Sequence, residues 1–229
     1  MRPDPTILAF DTSAAHCAAA LLKGGDIRGE TLEHLARGQA ERLMPMLEEL
    51  LADQNTGWDD LDAIAVGIGP GNFTGIRISV SAARGLSLAL GIPALGVSLF
   101  EVMRLCGAET RETGGALVSL EAPRGTVYLQ EFRDGAPCAA PCQIDPEAPP
   151  EDLGPDAGLQ VIGARAEDIA QRLRVTASPA ALGDIAPHIA RIAAARLAQS
   201  TKTPPRPAPL YVRPADAAPP RDPAPVILS

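Results

Sequence analysis

The chain has 229 residues, 46% of them hydrophobic, with 20 Lys plus Arg against 28 Asp plus Glu and a formal net charge of -8. That length supports one large domain or two small lobes around an ordinary core. The acidic balance and the scattering of the arginines exclude a protein that grips nucleic acid unaided, because phosphate contacts need clustered cations. The longest uncharged run, residues 85–100, is broken by Gly91 and Pro93 and is too short to span a bilayer. The N-terminal "MRPDPTILAFDTS" has an apolar run too short for a signal peptide, interrupted by Asp11. Both features predict a cytoplasmic protein with no membrane association.

In chain order, "TILAFDTS" (6–13) reads as a buried strand closed by a polar turn. Two strand-like runs then flank Lys23, Gly24, Gly25 and Asp26, which predicts a β-hairpin. Residues 37–53 read as a helix with Ala36, Ala40, Leu43, Leu47, Leu50 and Leu51 on one stripe and Pro45 inside it as a kink or a loosened turn. "NTGWDDLD" is a linker turn, and "AIAVGIG" is a charge-free strand of the kind covered on both faces. A glycine loop leads into a helix from about Thr74 to Leu90, and "PALGVS" is the next strand.

A second region begins near residue 100. "GALVSLEA" and "GTVYLQEFRDG" form a strand pair about a turn at Pro123, Arg124 and Gly125. Residues 134–158 read as an irregular loop with one short strand at "CQID", followed by a strand, a helix near 164–173, and a further helix in "IAPHIARIAAARLAQS". Residues 201–229 hold nine prolines and read as extended or disordered. The expected organisation is α/β in two lobes: residues 1–100, a smaller lobe over 101–200 with its closing helix, and the tail 201–229. No internal sequence repeat stands out.

The loop "GIGPGNFTG" poses the main chemical question. It lacks the Lys of a P-loop, and as a dinucleotide fingerprint it fails at the third glycine, where Asn72 stands. It still joins a strand to a helix N-terminus, where backbone N–H groups converge on an anion. Gly69, Gly71, Asn72 and Thr74, with Asp11, Thr12 and Ser13 at the end of the first strand, are therefore the candidate nucleotide or anion loop. The competing reading, favoured on the residues alone, is a tight turn: Pro70 fixes φ, Gly71 supplies a positive φ, and Asn72 or Thr74 caps the helix.

His16, His34 and His188 include no i,i+3 or i,i+4 pair, so no helical metal pair is expected. No GxSxG nucleophile elbow is present. Cys138 and Cys142 are spaced CxxxC with no second pair, and with Cys17 and Cys106 they read as free thiols. On the helix after the loop, Ile76, Val80, Ala83, Ser87 and Leu90 form a stripe suited to the parent sheet. Ile78, Ala82, Gly85 and Ala89 form a neighbouring stripe of mostly small residues suited to close helix packing. Either the chain's own first helix covers that second stripe, or the two helices together face another molecule.

"ILAFDTS", "VGIGPGNFTGIRIS", "EAPRGTVY" and "PLYVRP", in this order, resemble the TsaB-like dimerisation subunits of the bacterial tRNA threonylcarbamoyladenosine machinery, a glycoprotease-like family. The loop with its following Arg77 is the most specific element. The resemblance covers residues 6–132 and returns at 209–213. It implies an actin-like, sugar-kinase-like (ASKHA) fold and a subunit with no catalytic residues and no metal of its own. It implies a catalytic TsaD-like paralogue and a TsaE-like ATPase subunit as partners, a homodimer when alone, and tRNA contact only through the complex that modifies adenosine 37 of ANN-decoding tRNAs. No tightly bound cofactor is expected, with ATP or ADP only at the partner interface. Ala40, Leu43, Met46, Leu47, Ile78, Ala82, Gly85 and Ala89 are the residues expected at that interface. The family's usual Asp-Ala-Arg is Glu121-Ala122-Pro123 here. A stand-alone actin-like ATPase or metal-dependent hydrolase is the alternative reading.

Overall fold

The structure, a computed structural model, describes residues 4–107, 115–150, 153, 158–183, 185–199 and 204–212. Charge-free runs become the central strands, as their lack of alternation requires. In β1 (Ile7–Asp11) every residue is buried, Ile7 and Ala9 on one face and Leu8 and Phe10 on the other. β1 pairs antiparallel with β2 (His16–Lys23), which pairs with β3 (Asp26–His34) across the predicted hairpin. β4 (Ala63–Gly67) and β5 (Ala94–Val97) then add in parallel, giving the order β3-β2-β1-β4-β5.

One face of this sheet is covered by α1 (Gln39–Asp53) and α2 (Phe73–Leu90), which enclose Leu8, Phe10, Cys17, Ala19 and Leu21. α1 continues through Pro45, which lies on its exposed side, where water can take the carbonyl that the ring leaves without an N–H donor. Burial raises the Cys17 thiol from the ordinary 9.0 to about 11, with the Glu33 carboxylate adding to the effect.

The second sheet repeats the topology of the first. β6 (Gly115–Glu121) pairs antiparallel with β7 (Val127–Arg133), and β7 with the short β8 (Ala136–Pro137) and β9 (Cys142–Ile144). β10 (Leu159–Gly163) and β11 (Thr176–Pro179) follow in parallel, connected by α4 (Ala166–Leu173). The order β8-β7-β6-β10-β11 is thus a meander followed by parallel strands, as in the first lobe. The sequence shows no such repeat because what recurs is connectivity, not residues.

Two helices fill the space between the sheets. α3 (Leu99–Cys106) is launched by a capping box at Ser98 and Glu101 that sequence reading overlooked. α5 (Ile185–Gln199) follows the second sheet but packs on β1 and β2 of the first, with Ala186 against Ala18 and Ala20. The helix expected to close the smaller lobe therefore belongs spatially to the first sheet as well. Arg196 holds it there, donating to the Gly96 carbonyl at 2.7 Å and to the Glu101 carboxylate.

At a thiol pKa of about 11, only about one Cys17 in 10⁴ is thiolate at pH 7. Alkylation of the native chain at pH 7 is expected to modify the exposed Cys138 and Cys142 and to spare Cys17 until the chain is unfolded. The thiol form favours the fold below about pH 9, and that contribution is lost as pH rises toward 11.

Candidate functional site

β1 ends on Asp11, and the next four residues turn the chain into β2. Asp11 is fully buried. Its Oδ1 accepts from the Ser13 N–H at 2.9 Å and the Ser13 hydroxyl at 2.7 Å, and lies 2.8 Å from His16 Nε2. Sequence reading gave His16 no role; here it braces the carboxylate from the start of β2. Asp11 Oδ2 has no hydrogen-bond partner and faces Gly67 at the end of β4, where a Cβ would stand 1.9 Å away.

The glycine loop lies directly on this turn. A Cβ on Gly71 would come within 2.3 Å of the Ser13 carbonyl oxygen, and one on Gly75 within 1.9 Å of that of Thr12. Two hydrogen bonds tie the surfaces together: Asn72 N–H to the Ser13 carbonyl at 2.6 Å, and the Thr12 hydroxyl to the Gly75 carbonyl at 2.7 Å. The positive φ expected at Gly71 falls instead at Gly69, at +93°, a left-handed conformation that disfavours any side chain, while Gly71 is needed for its close approach to Ser13. The glycines thus permit backbone contact between two loops.

The helix cap takes several of the amides that an anion would use. Asn72 Oδ1 accepts from Thr74 N–H and Gly75 N–H, each at 3.0 Å, and Ile76 N–H bonds the Asn72 carbonyl. The structure therefore brings together Asp11, Thr12, Ser13, Gly69, Gly71, Asn72 and Thr74. The side chains of Asp11, Thr12, Ser13 and Asn72 are hydrogen-bonded within the loops, as the turn reading anticipates. Among the described residues no group of three His, Cys, Asp or Glu is placed to hold a metal ion.

The expected partner face divides on inspection. Leu43, Met46 and Leu47 are at most 1% exposed and belong to the core that α1 forms over β2 and β3 and against α2, so they cannot meet another molecule. The apolar stripe of α1 was correctly read as a stripe, but the sheet beneath it takes all its large residues. Ala40 is exposed. On α2, Ile78 and Ala82 are half-buried against the same core, alongside Met44 of α1, whereas Gly85 and Ala89 are exposed. The chain's own first helix therefore covers the N-terminal part of the small-residue stripe and leaves the rest open.

A second outward line runs beside it through Arg77, Ser81, Arg84 and Leu88. Leu88 is 83% exposed, the most exposed large hydrophobic among the described residues. α2 carries two arginines and no acid, whereas α1 exposes Glu41 and Glu48. Arg42 bridges Glu33 of β3 and Glu49, and those bonds hold both carboxyls below the usual carboxylate range.

The proline-rich region contributes a strap that sequence reading treated only as extended tail. Residues 204–212 lie along the first lobe, with Pro207 buried against Gly96 and Leu210 N–H bonded to the Ile68 carbonyl at 2.8 Å. Tyr211 stacks on Phe73 with ring centroids 5.0 Å apart, and its hydroxyl accepts from Arg77 Nε at 2.9 Å. The Arg77 guanidinium sits 3.7 Å over the Phe73 ring. The motif "PLYV" thus returns to the helix launched by "GNFTGIR". The tail beyond Val212 lies outside the described residues. In the second lobe the Glu121-Ala122-Pro123 turn is closed by Ala122 N–H to the Thr126 carbonyl, with Arg124 at φ +64°.

A protein family described as "TsaD: tRNA N6-adenosine threonylcarbamoyltransferase" matches residues 31–146. The Escherichia coli tRNA threonylcarbamoyladenosine biosynthesis protein TsaB is 35% identical over 129 residues, 56% of this chain and 54% of that protein. The chain thus spans about half the length of that curated relative. An uncharacterised Mycobacterium tuberculosis protein is 37% identical over 161 residues, covering 69% of this chain and 72% of its own. A Pseudomonas aeruginosa crystal structure described as similar to peptidase YeaZ superposes with a TM-score of 0.67 at 26% identity, covering 91% of this chain and all of that one. An Arthrobacter polyphosphate/ATP-glucomannokinase superposes at 0.50 with 13% identity over 84% of this chain and 99% of its own, a likeness of fold alone. The fold is of the actin-like, sugar-kinase-like type.

Glycine substitutions separate clasp from surface. Gly67→Ala is expected to lower stability by about 1–3 kcal/mol, because its Cβ has no space beside Asp11. Gly85→Ala, with nothing within 4 Å of its Cβ, is expected to raise stability by up to about 1 kcal/mol through helix propensity. Denaturant melts of the two variants check the opposite signs.

Proposed function

This chain belongs to the TsaB/YeaZ-type proteins, and on that footing we propose that it is a non-catalytic subunit in tRNA threonylcarbamoyladenosine formation. It pairs through α2 and the edge of α1 with a TsaD-like catalytic relative, or with a second copy of itself when that relative is absent. The observation that carries this reading is the division of labour around α2. The loop in front of the helix spends its polar groups on the β1 turn, while the helix behind it exposes Gly85, Leu88 and Ala89.

Gly85 leaves the helix backbone bare, so another helix can approach at the short end of the usual 8–10 Å range. Leu88, between Arg84 and the small residues, supplies apolar surface that a partner would remove from water. Arg77 and Arg84 favour a partner surface that carries carboxylates. tRNA is reached through the other subunits, because this chain is acidic overall and offers no cationic track. A TsaE-like ATPase subunit joins the same assembly, and nucleotide is bound at subunit interfaces, not by this chain alone.

The experiment is to co-purify the chain with the catalytic relative from the same genome and to measure the complex by sedimentation. A stable complex is expected, and Gly85→Leu or Leu88→Glu is expected to weaken it at least tenfold. Both positions are exposed, so the melting temperature of the isolated variants should not fall more than about 2 °C below the parent, and Gly85→Leu should raise it slightly. Loss of the monomer fold in both variants, or undiminished pairing, contradicts the assignment. The lone chain should show neither peptidase nor transferase turnover and should not shift tRNA at physiological salt.

A further inference from the structure

The edge of the second sheet carries two thiols in a specific arrangement. β7 takes two short antiparallel partners along the same side, β8 and β9. Cys138 extends the β8 register, its N–H donating to the Glu131 carbonyl at 3.0 Å. Cys142 pairs with Leu129. The two cysteines therefore lie against β7 residues that are two apart, on the same face of the sheet.

Between them the edge bulges. One β7 residue, Gln130, spans the interval that residues 139–141 occupy on the edge, and its Nε2 donates to the Ala139 carbonyl at 3.1 Å. Two strand positions correspond to about 6.7 Å between Cα atoms. That value lies at the upper end of the roughly 4.4–6.8 Å that disulfides span. Both cysteines are exposed, as are Ala139 and Ala140, with the half-buried Pro141 next to Cys142, so both thiols are open to a disulfide in solution.

We propose that Cys138 and Cys142 form a modification site, a dithiol that low-molecular-weight disulfides such as oxidised glutathione close to an intrachain disulfide. The thiolate of one cysteine attacks a sulfur of glutathione disulfide, forming a mixed disulfide and releasing one glutathione. The thiolate of the other cysteine then attacks the protein sulfur of that mixed disulfide. The Cys138–Cys142 bond forms, and the second glutathione leaves. Two electrons pass from the protein to glutathione disulfide, and the two thiol protons end on the two glutathiones released. The short chain between the cysteines makes the second step intramolecular, so the mixed disulfide does not accumulate. The buried Cys17 takes no part.

The test uses the full native chain exposed to oxidised glutathione and then blocked with an alkylating agent in acid. No Arg or Lys lies between residues 134 and 165, so one tryptic peptide holds both cysteines. The expected product is that peptide two hydrogens lighter, unalkylated, with two glutathiones released from the pair. Cys138→Ser and Cys142→Ser should each give a stable glutathione adduct at the remaining cysteine and release one glutathione. Both substitutions lie on the exposed edge, and an unchanged melting curve verifies the fold. A doubly glutathionylated peptide, a disulfide-linked dimer through either cysteine, or no reaction at both positions overturns the proposal.

Discussion

The contact on which this molecule is organised is the clasp between the turn after β1 and the loop after β4. Thr12 and Ser13 present backbone carbonyls to that loop, and Gly71 and Gly75 let the chain come against them. Asn72 N–H and the Thr12 hydroxyl then lock the two surfaces. Behind this contact, the buried Asp11 carboxylate organises the turn through Ser13 and His16 and leaves no room for a side chain at Gly67. The clasp fixes where α2 begins and therefore which of its sides faces the sheet. A glycine-rich loop between a strand and a helix can cradle phosphate or can turn tightly; here the Asn72, Thr74, Gly75 and Ile76 amides are engaged by the protein itself.

The direction of α2 is reinforced from the other end of the chain. The strap 204–212 returns to place Tyr211 on Phe73 and Arg77, in the first turns of the helix. Arg196 joins α5 to β5 and α3 at Gly96 and Glu101. The exposed half of α2, from Arg84 to Ala89, is thus held on a fixed base. A preorganised surface loses less freedom on binding than a mobile one, which suits the partner face proposed for this helix.

Much of this architecture was legible in the sequence. Uncharged runs marked the central strands, Lys23 to Asp26 marked the hairpin, and "GPGNFTG" marked the strand-to-helix turn. Other features were not legible, for identifiable reasons. The large residues of α1 form an apolar stripe whether they face a sheet or a partner, so periodicity does not reveal that Leu43, Met46 and Leu47, expected at the partner interface, face the sheet. α3 is only 8 residues long, and its one local signal is the Ser98–Glu101 capping box. β11 is an exposed edge strand, Thr-Ala-Ser-Pro, without apolar alternation, and only its pairing with β10 defines it. The packing of α5 across to the first sheet and the stacking of Tyr211 on Phe73 are long-range contacts that no local pattern encodes.

The central claim is that the glycine loop is a structural clasp that launches α2, with the Thr12 hydroxyl and Asn72 committed to holding the two loops and capping the helix. Calorimetric titration of the purified chain with magnesium ATP tests this most directly. The account predicts no saturable heat at nucleotide concentrations up to about 1 mM. Saturable binding in the micromolar range that is lost in Asn72→Ala or Thr12→Val would contradict it, because the same groups would then be serving a nucleotide.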